Sequence, residues 1–132
     1  CSIVFSGGAA GAVVRYTGTS FAPVTGPATS KAITSIWGNL SSNICMVAGP
    51  DVFVWNGNNY QKYTPSGTDL AAVAGYGADL YVVGTKGQLH RYSGGNFSLI
   101  ETGTRNNLYA VALSATTLWL AGDNGTILSK AR

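Results

Sequence analysis

The sequence predicts an all-β protein that repeats one antiparallel unit of about 37 residues. Three observations predict it: the apolar runs are too short for helices, turn residues separate these runs, and their order recurs along the chain. Short runs rich in β-branched and aromatic side chains, with turn residues on both sides, are typical of strands. The composition agrees, since 18 of 132 residues are glycine and only 10% are charged, whereas amphipathic helices need a charged face.

The repeat is clearest in an apolar run that a glycine closes. It reads ICMVAG at 44–49, LYVVG at 80–84 and LWLAG at 118–122, and more loosely SIVFSG at 2–7. The glycines that close the first three runs are 35 and 38 residues apart. A period of this length indicates stacked supersecondary units.

Three further runs of residues recur with the same period, so that each residue of a run occupies one repeat position, or column, in every unit. The second run ends in an aromatic residue and a glycine, as VVRYTG at 13–18, VFVWNG at 52–57 and LHRYSG at 89–94. The third run opens on Phe21, Tyr60 or Phe97 and finishes at Gly26, Gly67 or Gly103. The fourth run reads AITSIWG at 32–38, LAAVAG at 70–75 and LYAVAL at 108–113. Each unit therefore contains four strands.

Turn residues between the runs predict that successive strands pair antiparallel. Asn56-Gly57, Lys86-Gly87, Ser93-Gly94-Gly95 and Asn124-Gly125 supply the positive φ that tight hairpins require. One four-stranded meander cannot bury both of its faces, so copies must pack face to face. Radial packing of such sheets is the architecture of a β-propeller, in which each sheet is a blade.

The phase of the repeat follows from the fourth run. Its Ala and Gly content suits the crowded innermost strand of a blade, so residues 1–26 form a partial blade, 32–67 and 70–103 form blades, and 108–132 form a partial blade. The chain thus contains about three and a half blades, which are expected to belong to a ring of about six to eight blades. The expected partner is another copy or the remaining blades. Two copies would match the strand number of a seven-bladed ring, but their phase does not allow simple closure.

The segments LYVVGTKGQLHRYSGGNF and LWLAGDNGTIL, with the consensus L-x-x-V-x-G, resemble the BNR/photosystem II assembly factor-like propellers and their relatives in bacterial surface proteins. The pattern covers nearly the whole chain. Most members of that group are binding modules or scaffolds, and the resemblance implies the same role here. The sialidase Asp box, S-x-D-x-G-x-T-[WF], is not reproduced, because AGDNGT at 121–126 shifts the threonine and lacks the aromatic residue.

Several chemical functions are disfavoured by the sequence. The eight basic residues form no run, so no nucleic-acid groove is expected, and no apolar stretch reaches the about 18 residues of a membrane span. The one histidine, His90, is expected to point to solvent or a neighbouring strand. The five acids are expected in solvated turns or at strand ends. The sequence therefore predicts no metal, no cofactor and no enzymatic activity.

The cysteines and the polar composition bear on the compartment. Cys1 and Cys45 occupy similar places in neighbouring repeats, too far apart for a disulfide, and Cys45 is expected to be a buried free thiol. Residue 1 is expected to be a cut end. Low charge with abundant Ser, Thr, Asn and Gly favours an extracellular, cell-surface or periplasmic protein.

Two binding sites are predicted, and they define two functional hypotheses. The first is a rim of loops at one ring face that recognises a protein or a polar ligand, with Asp69, Lys86, Arg105, Asn107 and Asp123 as its candidates. The second is a carbohydrate site at Trp55, Asn58, Asn59 and Tyr60, where a ring stacks on a sugar. The repeat position of Trp55 is filled by Tyr16 and Tyr92 in other units, and that of Tyr60 by Phe21 and Phe97. Structural packing is therefore the alternative role for both aromatic rings. A third hypothesis is a fragment of a larger propeller enzyme with its catalytic residues elsewhere.

Overall fold

A computed structural model describes residues 4–40 and 43–132, and the strands in these ranges form four antiparallel sheets. The first sheet contains β1 Val4–Gly7, β2 Val13–Tyr16 and β3 Phe21–Val24. The second contains β4 Ile33–Leu40, β5 Asn43–Ala48, β6 Asp51–Trp55 and β7 Tyr60–Tyr63. The third contains β8 Leu70–Tyr76, β9 Asp79–Gly84, β10 Leu89–Ser93 and β11 Asn96–Ile100. The fourth contains β12 Leu108–Leu113, β13 Thr117–Gly122 and β14 Ile127–Ala131.

Each sheet is a meander in which strands adjacent in sequence are adjacent in space. The predicted all-β class and the antiparallel sheets of three to four strands are therefore confirmed. The four sheets lie within the segments 1–26, 32–67, 70–103 and 108–132. No helix in the described part of the chain is long and apolar enough to cross a membrane.

The sheets stack in sequence order through their first strands. Strand β8 contacts both β4 and β12, and β1 contacts β4. Small residues permit this close approach: a Cβ on Gly75 of β8 would lie 2.8 Å from the Trp37 ring of β4. The Ala and Gly content of the fourth run therefore does mark the strands that pack most closely between sheets.

Three apolar clusters lie between successive sheets. In β5, Ile44 and Met46 face the first sheet, while Cys45 and Val47 face the third. Both faces of this strand are buried, which explains why ICMVA is a continuous apolar run rather than an alternating one. Cys45 is buried and unpaired, as predicted, and burial raises the pKa of its thiol to about 12. Cys1 lies outside the described residues.

One turn geometry recurs between the glycine-closed run and the second run of three repeats. It spans residues 8–12, 84–88 and 122–126, and in each the first N–H donates to the last carbonyl, over 2.9, 3.2 and 2.9 Å respectively. Ala10, Lys86 and Asn124 have positive φ values of 54°, 59° and 59°. Gly8 is thus the structural counterpart of Gly84 and Gly122, one residue later than the alignment on Gly7 predicts. The second sheet instead has a tight turn at Gly49-Pro50.

The fourth residue of this turn is glycine in all three repeats. Two separate effects can require a glycine at this position: a left-handed backbone conformation and a close contact with a neighbouring segment. Gly87 and Gly125 both adopt positive φ, at 73° and 69°. At Gly87, a Cβ would also overlap the carbonyl oxygen of Thr104 in the link to the fourth sheet, whereas a Cβ on Gly125 would meet nothing within 4 Å. The close approach therefore exists only where another sheet follows.

Replacing each of these glycines by alanine will separate the two effects. We expect Gly125→Ala to lower the free energy of unfolding by about 1 kcal/mol, the cost of a left-handed backbone. Gly87→Ala should cost about 2 kcal/mol more, because the link must move to admit the methyl group. Denaturant unfolding of the two variants measures the difference. Equal losses would show that the link does not press on the turn.

Candidate functional site

The residues that were predicted to form a binding rim lie at one end of the sheets. Leu70 begins β8 beside Gly84, the last residue of β9, so the links between sheets lie at the same end as the turns at 84–88 and 122–126. Asp69 is in one link, and Arg105 and Asn107 are in the next. Lys86 and Asp123 are in the turns. The structure therefore places all five predicted rim residues at the same end.

Hydrogen bonds connect three of these residues. The backbone N–H of Lys86 donates to Oδ1 of Asn107 over 3.0 Å. Nδ2 of Asn107 donates to the Tyr109 hydroxyl over 3.4 Å, and this hydroxyl donates to Oδ2 of Asp123 over 3.2 Å. The chain of bonds ties the turn of the third sheet to the turn of the fourth. The Lys86 and Arg105 side chains are exposed at this rim.

Asp69 has a structural role through its backbone. Its carbonyl oxygen accepts the N–H of Thr85 over 3.1 Å and Nε2 of Gln88 over 2.9 Å. The carbonyl of Asn107 similarly accepts the N–H of Asp123 over 2.9 Å. These contacts position each link on the turn above it, and the Asp69 side chain is left exposed.

The second predicted site lies at the opposite end, in the hairpin between β6 and β7. Oδ1 of Asn56 accepts the backbone N–H groups of Asn58 and Asn59 over 2.9 and 2.8 Å, which closes the turn. Asn58 and Asn59 are both exposed. The structure thus does not bring this site together with the rim.

Trp55 and Tyr60 pack into the cluster between the first and second sheets. Their ring centroids are 4.7 Å apart, and the Tyr60 hydroxyl donates to the carbonyl of Thr25 over 2.8 Å. Burial raises the pKa of Tyr60 above its usual value. Both rings have the packing role that their repeat columns predict, and carbohydrate binding by this hairpin stays a prediction.

His90 is buried and faces a neighbouring strand, which was one of its two expected orientations, whereas the solvent-facing alternative is wrong. It faces Val82 of β9, on the side of the second sheet. One ring nitrogen, Nε2, lies 3.0 Å from Oε1 of Gln88, which also accepts the hydroxyl of Ser66. Desolvation lowers the pKa of His90 below its usual 6.5. A sequence signal existed, because Val14, Phe53 and Leu128 fill the same repeat column.

Asp51 lies at a strand end, as expected, but is not solvated. It begins β6, is buried, and accepts the hydroxyl of Thr64 at Oδ1 over 2.7 Å. Lys62 lies 3.8 Å from its other oxygen. In the part of the chain that the structure describes, no three His, Cys, Asp or Glu residues converge as a metal site would require.

Burial of His90 should make stability depend on pH. Its pKa is lower in the folded than in the unfolded chain, so the unfolded chain binds more protons below pH 6.5. Stability is full above that pH and falls as the pH is lowered, with a slope no steeper than about 1.4 kcal/mol per pH unit. Denaturant unfolding between pH 5 and 7.5 measures this slope. His90→Leu, which copies Leu128, should remove it, and an unchanged slope in that variant would assign it to other groups.

The outward faces of the first and fourth sheets are apolar and uncovered. On the fourth sheet, Trp119 and Ile127 are 50% and 71% exposed, whereas their repeat counterparts in the third sheet, Tyr81 and Leu89, are 5% and 1% exposed. On the first sheet, Val4 is 44% exposed. These two surfaces, called the trailing face of the fourth sheet and the leading face of the first sheet, are the most prominent candidate interaction sites.

The leading face carries the same aromatic columns as the internal interfaces. Tyr16 and Phe21 lie with ring centroids 5.0 Å apart, and Phe21 is 65% exposed. Their counterparts Tyr92 and Phe97 pack against the second sheet. The counterpart of Val4 in the third sheet is Leu80, which is 3% exposed. Residues that are buried inside the stack are therefore repeated on its open ends.

Comparison with known proteins identifies the fold but no family. No family model matches the chain, and no curated protein does. The chain is similar to the computationally designed Ika4 protein, with a TM-score of 0.79 and 14% identity over 99% of this chain and 86% of that one. It is also similar to the computationally designed Ika8 protein, with a TM-score of 0.81 and 18% identity over 99% of this chain. The match spans only 43% of the Ika8 chain.

Proposed function

We propose that this chain is a non-enzymatic binding scaffold of the β-propeller type and that two copies assemble head to tail into one ring. Each copy contributes four separate sheets, so the proposed ring contains eight sheets. The phase that prevents two copies from closing a seven-bladed ring does not apply, because no sheet has to be completed by strands of the other copy. The trailing face of one copy packs on the leading face of the other, and the reverse contact closes the ring. Closure removes both uncovered faces, which is the usual reason for a ring of sheets.

The observation that carries this proposal is that repeat positions buried between sheets inside the stack are also apolar on the two uncovered faces. Trp119 and Ile127 occupy the positions that Tyr81 and Leu89 use to pack on a following sheet. Val4 and Phe21 occupy the positions that Leu80 and Phe97 use to pack on a preceding sheet. A surface made of these columns fits another sheet of the same repeat.

A second copy of the chain can cover the trailing face and the leading face at the same time. The two faces are different, so one cannot cover itself, but each chain carries one of each. Apolar areas of this kind are rare on monomers and mark association sites. The designed Ika8 chain is more than twice as long as the part that this chain matches, which is compatible with two such units side by side. Further sheets from the same polypeptide are the alternative occupant.

The rim is the part of the proposed ring that binds. Lys86, Asn107 and Asp123 are held by backbone and side-chain bonds to successive turns, so their polar groups are fixed by the stack below. Exposed Lys86 and Arg105 add positive charge. Loops on a rigid scaffold are the usual place for recognition, and a mixed set of amides, acids and bases suits a protein or polar ligand.

The assembly predicts the solution mass. Light scattering at about 50 μM, well above the dissociation constant of a stable dimer, should give twice the 13.6 kDa of one chain. Trp119→Asp should raise the dissociation constant at least about tenfold, because it places an unpaired charge in the contact.

Leu99→Asp is the matched control, since Leu99 is 60% exposed on the outer strand of an internal sheet. The same column holds exposed Lys62 in the second sheet, so a charge is tolerated there. This variant should keep the assembled mass. A wild-type chain that remains a monomer at this concentration would contradict the two-copy ring, and equal dissociation of both variants would contradict the assigned contact.

A further inference from the structure

A cleft of about 220 Å³ separates the first and second sheets near their outer strands. Its walls combine apolar and aromatic side chains with one cation. The lining residues are Phe5, Arg15, Val24, Thr25, Ile44, Met46, Trp55 and Tyr60. The cleft lies within one chain, so it does not depend on assembly of the ring.

Arg15 is the charged group of this cleft. It lies on β2 opposite Phe5 and Ala22, on the face that packs toward the second sheet. Its Nε atom is buried and, among the described residues, has no hydrogen-bond partner. No described carboxylate lies within ion-pair distance of its guanidinium. Its two Nη groups have no described hydrogen-bond partner and are not among the buried polar atoms without a partner, so they are the part of the guanidinium that a bound anion can reach from the cleft.

The repeat supplies an internal comparison. Arg91 occupies the same column in the third sheet, in LHRYSG against VVRYTG. Its Nη2 atom lies 3.1 Å from Oδ2 of Asp79, and its side chain is 44% exposed. At this second position the protein therefore provides both a carboxylate and solvent. Arg15 has neither on its Nε edge in the part of the chain that the structure describes.

We propose that this cleft binds a small carboxylate that carries an aromatic or branched apolar group. The two Nη groups of a guanidinium present paired N–H donors, which match the two oxygens of a carboxylate. The apolar group would lie against Met46, Trp55 and Tyr60. A cavity of about 150 Å³ already accommodates benzene, so one ring with a short acid chain fits the available volume.

The test uses 3-phenylpropionate as the probe and its neutral amide, 3-phenylpropanamide, as the matched ligand. The wild-type chain should bind the acid at least about tenfold more tightly than the amide, because only the acid pairs with Arg15. NMR titration of the three Trp indole N–H signals locates the site. The Trp55 signal should shift with the acid, while those of Trp37 and Trp119 should not.

Two variants assign the effect to Arg15. Arg15→Gln should weaken binding of the acid at least about tenfold and leave the amide unchanged, whereas Arg91→Gln should change neither. Arg15→Lys keeps the charge but not the paired donors, and should bind more weakly than wild type. Circular dichroism verifies that each variant folds.

Three results would overturn the proposal. They are no shift of the Trp55 signal at millimolar acid, equal affinity of the wild-type chain for acid and amide, and unchanged affinity in a folded Arg15→Gln variant. The first two use the wild-type chain alone, so they decide the matter even if an Arg15 variant does not fold. Failure of this binding test leaves the solution mass unaffected, so it is distinguishable from failure of the two-copy ring.

Discussion

Burial of both faces of each sheet is the constraint on which the rest of this structure depends. Val47 and Val82 face a neighbouring sheet from one side of their strands, while Met46 and Tyr81 do so from the other. A sheet that is apolar on both sides is stable only between two others. The stack therefore continues for as long as the repeat does, and its two ends expose what its interior buries. The proposed ring answers this constraint, because closure leaves no uncovered end.

The polar groups of the chain are confined by the same stack. The links between sheets and the turns at 84–88 and 122–126 lie at the rim, where Lys86 and Asn107 are joined across neighbouring sheets. Several buried polar side chains are bonded: Gln88 bonds to Ser66, Thr68 and His90, and Asp51 bonds to Thr64. Such bonds satisfy buried polar atoms. The fixed positions of the rim loops and the rigidity of the interfaces thus have a common origin in the way the sheets pack.

The repeats are equal in backbone but not in side chains, and the differences between them suggest specialised positions. One column holds Arg91 with its carboxylate partner, Asp79, and also Arg15, whose Nε has no described partner. Another column holds Gly87 under a neighbouring link and Gly125 in open space. The difference at Gly87 comes from the link to the adjacent sheet, whereas the partner of Arg91 lies on a neighbouring strand of its own sheet. Comparison within the chain is therefore a substitute for comparison with relatives.

The sequence by itself determined the strands, their antiparallel pairing and their grouping into sheets, because these follow from local patterns: short apolar runs, positive-φ turn residues and a period visible in several columns. It also placed Asp69, Lys86, Arg105, Asn107 and Asp123 at one rim. Only the tertiary structure decided the environment of individual side chains. His90 is buried, Asp51 is shielded, and Arg15 enters a cleft with Trp55, because these outcomes depend on which sheet packs on which face, and residues far apart in the chain form that contact.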